Sequence, residues 1–457
     1  MARIVFFALL LFFVSMASIQ AVNIESDTIS DVQPVQGTPY RPQASKKGVL
    51  TLEKRDYRMT RTLFFALLLG AALANPLALS ATPATTVDRE CACTASKIWL
   101  DITVIIDVTE AMGDGIYNVA AQLISVFGQL NISQESGQFS RVALVTAGGQ
   151  AVKVSDLTTY KNTEALINDI TALQNGNDKT INIQAALKTA SDIFADAGSQ
   201  RNRKQVVLLY ASAYNQGGYA DPKETAIQMR DSGISIITVA YVQESESDDI
   251  LKISELASPS FGFSNVKTKN LVKTIVDTFC QVNCFCRTNW AQFSDTYNTA
   301  GARKYGVCVR YIGIQASWFA ANAIGCRNKG SAGSYLVTEF SATKHKFNKA
   351  YYTAAANQTG IASQAINYHI GLRTNVPKTT GYVWVQGTHK YVNFDTKGYH
   401  AWGAGYPNVN QGDCVTAKAN SFTVQWENTN CYTDAQDYLC EAPSCDTDNY
   451  CDSIDDN

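Results

Sequence analysis

Apolar positions along the chain fall into two regimes. Between residues 97 and 279, short and nearly continuous apolar runs alternate with segments of helical period. The run over residues 98–107 predicts a parallel strand buried on both faces. Behind it, Ile116, Val119, Ala120, Leu123 and Phe127 recur at the spacing of an amphipathic helix. The alternation continues with predicted strands over 141–146, 205–209 and 234–241, and predicted helices over 163–173, 183–194, 222–231 and 271–279. Strands that alternate with helices imply an α/β unit, a doubly wound parallel sheet covered on both faces.

Past residue 284 the pattern changes. Residues 318–326 put Phe319, Ala320, Ala323 and Ile324 on one helical face, and 335–340 predicts a strand. Residues 369–372, 381–385, 422–426 and 438–440 are short aromatic or β-branched runs bounded by Gly, Asn and Thr, as in an antiparallel sheet. Between Trp384 and Cys414 lies a Gly- and Asn-rich stretch with little regular pattern. A loop that long inside a compact domain is usually functional. Residues 284–441 therefore predict an α+β unit, and 442–457 an acidic tail.

Length agrees with two domains, because 457 residues exceed the roughly 250 to 300 at which a single core stops growing. A net charge of -2 with 46% hydrophobic residues gives no reason to expect a nucleic-acid partner or an anionic membrane surface. All 12 cysteines lie between Cys91 and Cys451, without the CxxC array of a zinc ribbon. Two signal-like segments stand upstream, Met1 to Ala21 and Met59 to Ala74, so disulfides and an extracellular setting are expected. Using both segments would leave every cysteine in the cytosol. Residues 59–74 are therefore the expected signal peptide, with residues 1–58 a spurious or processed leader. No later segment is apolar for long enough to anchor the secreted chain in a bilayer, and Asn131 and Asn357 head glycosylation sequons. The absence of HExxH, GxSxG and phosphate-loop motifs argues against an enzyme.

In a parallel sheet, ligands bind beyond the carboxyl ends of the strands. There the chain reads Asp107-Val108-Thr109-Glu110-Ala111. With the alternating pattern over 97–279, this resembles the von Willebrand factor A domain, whose metal-dependent adhesion site opens with Asp-x-Ser-x-Ser. The resemblance implies Asp107 and Thr109 as metal ligands and a protein-binding or adhesion role. It also places Ala111 at a serine, Ile181 at a threonine with Thr180 one place out of register, and Ala211 at a second aspartate. One carboxylate and one hydroxyl fall short of the roughly six oxygens a divalent ion takes, so the site is expected to be degenerate and Asp107 to cap its own loop.

The order Cys286, Trp290, Cys308, Trp318, Cys326, His369-Ile370-Gly371-Leu372, Trp384, Trp402, Pro407-Asn408, Cys414, Trp426, Cys431, Cys440 resembles the C-type lectin domain. The resemblance implies the disulfides Cys326–Cys440, Cys414–Cys431 and Cys286–Cys308. For the rest, Cys445 with Cys451, and Cys91 and Cys93 with Cys280 and Cys284, stay open, because connectivity cannot be read from sequence. The family's calcium is held by Glu-Pro-Asn, a glutamate before a loop cysteine, and Asn-Asp after a tryptophan. Here those places read Tyr406-Pro407-Asn408, Gly412 ahead of Asp413-Cys414, and Trp426-Glu427-Asn428. Asn408, Glu427 and Asn428 offer one oxygen each against the six to eight or so that calcium prefers, so any calcium is expected to bind weakly.

Sugar can also be held without metal, its apolar face on Tyr399, Trp402 or Tyr406 and its hydroxyls read by Asn408, Gln411, Glu427 and Asn428. The competing expectation is that Trp402 and Tyr399 form the loop's own core. His345, His369, His389 and His400 show no ligand spacing. The resemblances together imply a secreted, non-enzymatic recognition protein that binds carbohydrate, with a role in innate defence. The alternative is a matrix or adhesion protein in which both domains bind protein partners without metal.

Overall fold

A computed structural model describes residues 88–198, 202–214, 217–243, 248–327, 333–359, 365–387, 390–420 and 423–451. The two signal-like segments, His389 and Phe422 lie outside them. The first lobe is built on β1 (Leu100–Asp107), buried along its whole length, with β2 (Arg141–Ala147), β3 (Ala151–Lys153), β4 (Lys204–Ala211), β5 (Ser235–Ala240) and β6 (Gly262–Ser264). They lie in the order β3-β2-β1-β4-β5-β6, all parallel except β3.

The helices are α1 (Gly115–Phe127), α2 (Thr163–Thr171), α3 (Ile183–Asp196), α4 (Lys223–Asp231), α5 (Asp248–Ile253) and α6 (Leu271–Val282). Because strand side chains alternate, β1 sends Leu100, Ile102, Val104 and Ile106 to the face covered by α1, α2 and α6. Ile105 points to the face covered by α3 and α4. Asn162 and Asn182 fix the starts of α2 and α3 by accepting from the amides of Ala165 and Ala185. The elements that sequence pattern does not predict, β3, α5 and β6, are short and give little periodic signal.

The second lobe runs β7 (Ala291–Ser294), β8 (Lys304–Ser317), α7 (Trp318–Ala320) continuing as a π-helical turn to Cys326, β9 (Tyr335–Leu336) and α8 (Ala342–Gln358). It ends with β10 (Asn367–Thr374), β11 (Tyr382–Val385), β12 (Tyr391–Asn393), β13 (Cys414–Ala419), β14 (Val424–Thr429) and β15 (Ala435–Pro443). The main sheet order is β12-β11-β10-β15-β8-β7, and β13 joins β10 to β14.

Three expectations need correction. The strand expected over 335–340 stops at Leu336, because Thr338 and Glu339 turn into buried polar networks. Helix α8 was not expected at all: its buried face carries Lys344, His345 and Asn348 beside Phe347 and Tyr352, which hides the apolar period. The acidic tail is folded at least to Cys451. Asp446 is buried and pairs with Arg89 at 2.6 Å, and the Tyr450 ring packs edge-on against Trp99.

The 12 cysteines form Cys91–Cys284, Cys93–Cys280, Cys286–Cys308, Cys326–Cys440, Cys414–Cys431 and Cys445–Cys451. The first two join the segment before β1 to the end of α6 and the residues just after it, so both ends of the first lobe are closed together. Among the described residues, no helix is long and apolar enough to cross a membrane.

Candidate functional site

The carboxyl end of β1 places Asp107 where a ligand-binding crevice is expected, yet its side chain is fully buried. Its Oδ1 accepts from the Thr109 amide at 2.9 Å and the Thr109 hydroxyl at 2.7 Å. Its Oδ2 accepts from the Ser212 amide at 2.8 Å and the Ser212 hydroxyl at 2.6 Å. An ionised carboxylate offers about four acceptor directions, and four donors fill them. Around it, Ile181 and Ala211 are buried apolar residues at two of the positions where the A-domain pattern carries oxygen ligands. This donor set does not fit a divalent ion, since the one carboxylate already ties the ends of β1 and β4 together.

The second region is the loop between β12 and β13, which packs on Trp426 of β14. Trp426 donates its amide to the Ala401 carbonyl and accepts from Gly403, so the loop is hydrogen-bonded directly to the strand. The Trp402 ring lies 5.1 Å from Tyr382, 5.6 Å from Trp426 and 6.4 Å from Phe394, and Tyr399 sits edge-on to Trp426 at 5.8 Å. Both rings therefore belong to the core of the loop. Trp402 is half-buried beneath the surface rather than standing free.

The oxygens expected to hold calcium or sugar are also engaged. Asn428 Oδ1 accepts from the Asn408 amide at 2.7 Å, while Nδ2 donates to the Tyr382 hydroxyl and the Gly412 carbonyl. Asn408 Oδ1 accepts from the Asn410 amide, and one oxygen of Glu427 receives Lys418 at 3.1 Å. Gly412 has a positive φ of 142°, and a Cβ there would collide with the Thr429 carbonyl. A glutamate cannot occupy that place while the loop lies so close to β14. The set does not fit calcium: its amides are bound internally and its one carboxylate is paired. Of the other expected residues, Tyr406 is half-buried before a cis bond to Pro407, and Gln411 is exposed. Among the described residues no group of three acidic, histidine or cysteine side chains is placed to hold a metal.

Two supporting residues escape the sequence pattern. Glu339 is fully buried and accepts from Trp426 Nε1 at 2.6 Å, His345 Nδ1 at 2.6 Å, Asn348 at 3.1 Å and the Tyr368 hydroxyl at 3.0 Å. His345 Nε2 faces the Val424 carbonyl, so both ring nitrogens meet acceptors and the ring is held as imidazolium. Burial alone would push the Glu339 carboxyl up, but the His345 charge and hydrogen bonds from His345, Trp426 and Asn348 outweigh it and hold it below its ordinary range. For His345, burial pushes down, and the Glu339 charge with both hydrogen bonds raises it above its ordinary value. The available signal was a lone acid inside the apolar run of residues 335–340. Asn131 and Asn357 are both exposed, and His369 is buried neutral, pushed down to about 4 mainly by burial.

Comparison with known proteins places these regions. Residues 101–278 match the family model of the von Willebrand factor type A domain. The chain is 31% identical over 378 residues to C-type lectin domain-containing protein 160 of Caenorhabditis elegans, covering 79% of this chain and 56% of that protein. It thus spans little more than half the length of this relative. Among solved structures, proximal thread matrix protein 1 of the mussel byssus is similar at 16% identity and a TM-score of 0.35, covering 42% of this chain and 47% of that one. The C-type lectin domain of murine dendritic cell inhibitory receptor 2, solved with an N-glycan, is similar at 19% identity and a TM-score of 0.25, covering 35% of this chain and 98% of that one. The chain therefore joins a von Willebrand factor type A domain to a disulfide-bonded C-type lectin-like domain.

Proposed function

We propose that this is a secreted, non-enzymatic recognition protein that binds carbohydrate through the lectin-like loop without a metal ion, in a setting such as innate defence. The observation that carries the reading is the surface left once the calcium positions are taken up internally. Half-buried Tyr406 and exposed Gln411 lie on a loop held from beneath by Trp402 and Trp426. An aromatic ring offers a face for a pyranose, and neighbouring amides suit its hydroxyls. Similarity to a protein named for its C-type lectin domain supports the same reading.

A glycan array run with calcium and with chelator tests it. Binding is expected in both conditions and is expected to disappear in Tyr406→Ala; absence of binding in both sinks the reading. Phe319 and Tyr432 favour a second reading, in which both domains bind extracellular proteins. Their rings meet at 5.2 Å and remain 49% and 71% exposed. Paired exposed apolar rings suit a protein contact.

A further inference from the structure

A cleft of 880 Å³ runs along the boundary of the two lobes, lined by Lys204, Phe285 and Lys304 among others. Its volume falls within the roughly 300 to 1,000 Å³ of small-ligand sites, which favour domain boundaries. Most charges on its wall already have partners. Arg303 pairs with Glu90 at 2.7 Å, Asp277 pairs with Lys273, and Arg230 donates to the carbonyls of Glu255, Leu256 and Ala257. Asp231, at the end of α4, is exposed.

Lys204 and Lys304 differ from these. No carboxylate among the described residues lies within ion-pair distance of either. Lys204 begins β4, is half-buried, and holds its ammonium 4.6 Å over the Phe285 ring. Lys304 begins β8 in the other lobe. Burial lowers the affinity of Lys204 for its proton, and the charge of Lys304 lowers it further. A half-buried cation without a counter-charge, lining the same cleft as a second cation, is costly unless an anion joins them there.

We propose that the inter-lobe cleft binds an acidic saccharide, whose carboxylate or sulfate sits between Lys204 and Lys304. Ser235 and Ser260, which also line the cleft, suit the hydroxyls of a sugar. This site is separate from the loop around Tyr406, and its test does not depend on that reading.

The test is calorimetric titration of the full chain with three tetrasaccharides, one sulfated, one carrying uronate but no sulfate, and one neutral, and with a glutamate-rich peptide. At least one acidic saccharide is expected to bind, more weakly at high salt, with the sulfated and uronate arms identifying the group recognised. Lys204→Gln is expected to weaken binding about tenfold or more, the factor for one lost charge-assisted hydrogen bond. Lys304→Gln, on an exposed side chain whose replacement leaves folding intact, is expected to weaken it in the same direction. Tyr406→Ala is expected to leave the Lys204-dependent binding unchanged. Binding of neither acidic sugar, equal binding of the neutral sugar to the Tyr406→Ala chain, unchanged binding in Lys304→Gln, or preference for the peptide overturns the proposal.

Discussion

The end of β1 and the loop before β13 resolve the same problem in different ways. Each stands where a related fold would carry a cation, and each leaves polar side chains that need partners. At β1 the carboxylate of Asp107 remains, and four neutral donors from Thr109 and Ser212 satisfy it. In the loop, Asn428 holds three neighbours through both ends of its amide, and Glu427 is paired with Lys418. A buried carboxylate needs donors on every side, whereas an amide supplies a donor and an acceptor at once. The first region therefore ties two strands together, while the second fixes a loop and leaves its outer edge exposed.

The support beneath the loop should give the largest effect. Glu339→Ala leaves the His345 charge and the Trp426 N–H buried without their acceptor, and is expected to cost about 3 to 5 kcal/mol in urea denaturation. The β1 site is expected to stay intact in that variant. Trp402→Ala is expected to cost about 3 kcal/mol, near the low end for a buried aromatic because the ring is only half-buried. Lost carbohydrate binding with unchanged stability would instead make Trp402 a contact residue.

Exchanging the carboxylate and the amide between the two regions tests each set of partners. Asp107→Asn turns an NH2 towards existing donors, and Asn428→Asp loses the donor to Tyr382 and Gly412. Each is expected to cost about 1 to 3 kcal/mol, the penalty of an unsatisfied buried group. Added calcium is expected to restore neither.

The smallest effect is pH-dependent. His345 has its folded pKa raised above the ordinary 6.5, so its contribution is complete below about that pH and is lost as pH rises through the folded value. Glu339 has its folded pKa lowered below the ordinary 4.5, so its contribution is lost only as pH falls through that lower value. His369 acts in the opposite sense to His345, losing stability as pH falls from 6.5 towards about 4. The stability difference between the native chain and His345→Gln cancels the His369 contribution. That difference is expected to shrink as pH rises above neutrality.

The first lobe was largely legible because its helices bury apolar faces against fully buried strands, as α1 and β1 do. In the second lobe the cysteines and tryptophans were informative and the periodicity was not. Helix α8 buries Lys344 against Glu441 and His345 against Glu339, pairings between residues distant from or irregularly spaced along the chain. The Asp107 region was legible through its missing partners, although the role of Ser212 depends on the neighbouring strand. That Trp402 packs beneath the loop could be posed from sequence as an alternative. Settling it required the ring contacts with Tyr382 and Trp426.

Neither region needs a cation: the Asp107 carboxylate and the Asn408 and Asn428 amide oxygens accept hydrogen bonds within the protein, and Glu427 is paired with Lys418. Calorimetric titration of the folded chain with calcium, and separately with manganese, tests this. The expected result is no saturable heat at millimolar ion and no change in melting temperature. Saturable binding that is lost in Asn428→Ala or Asp107→Ala would contradict it.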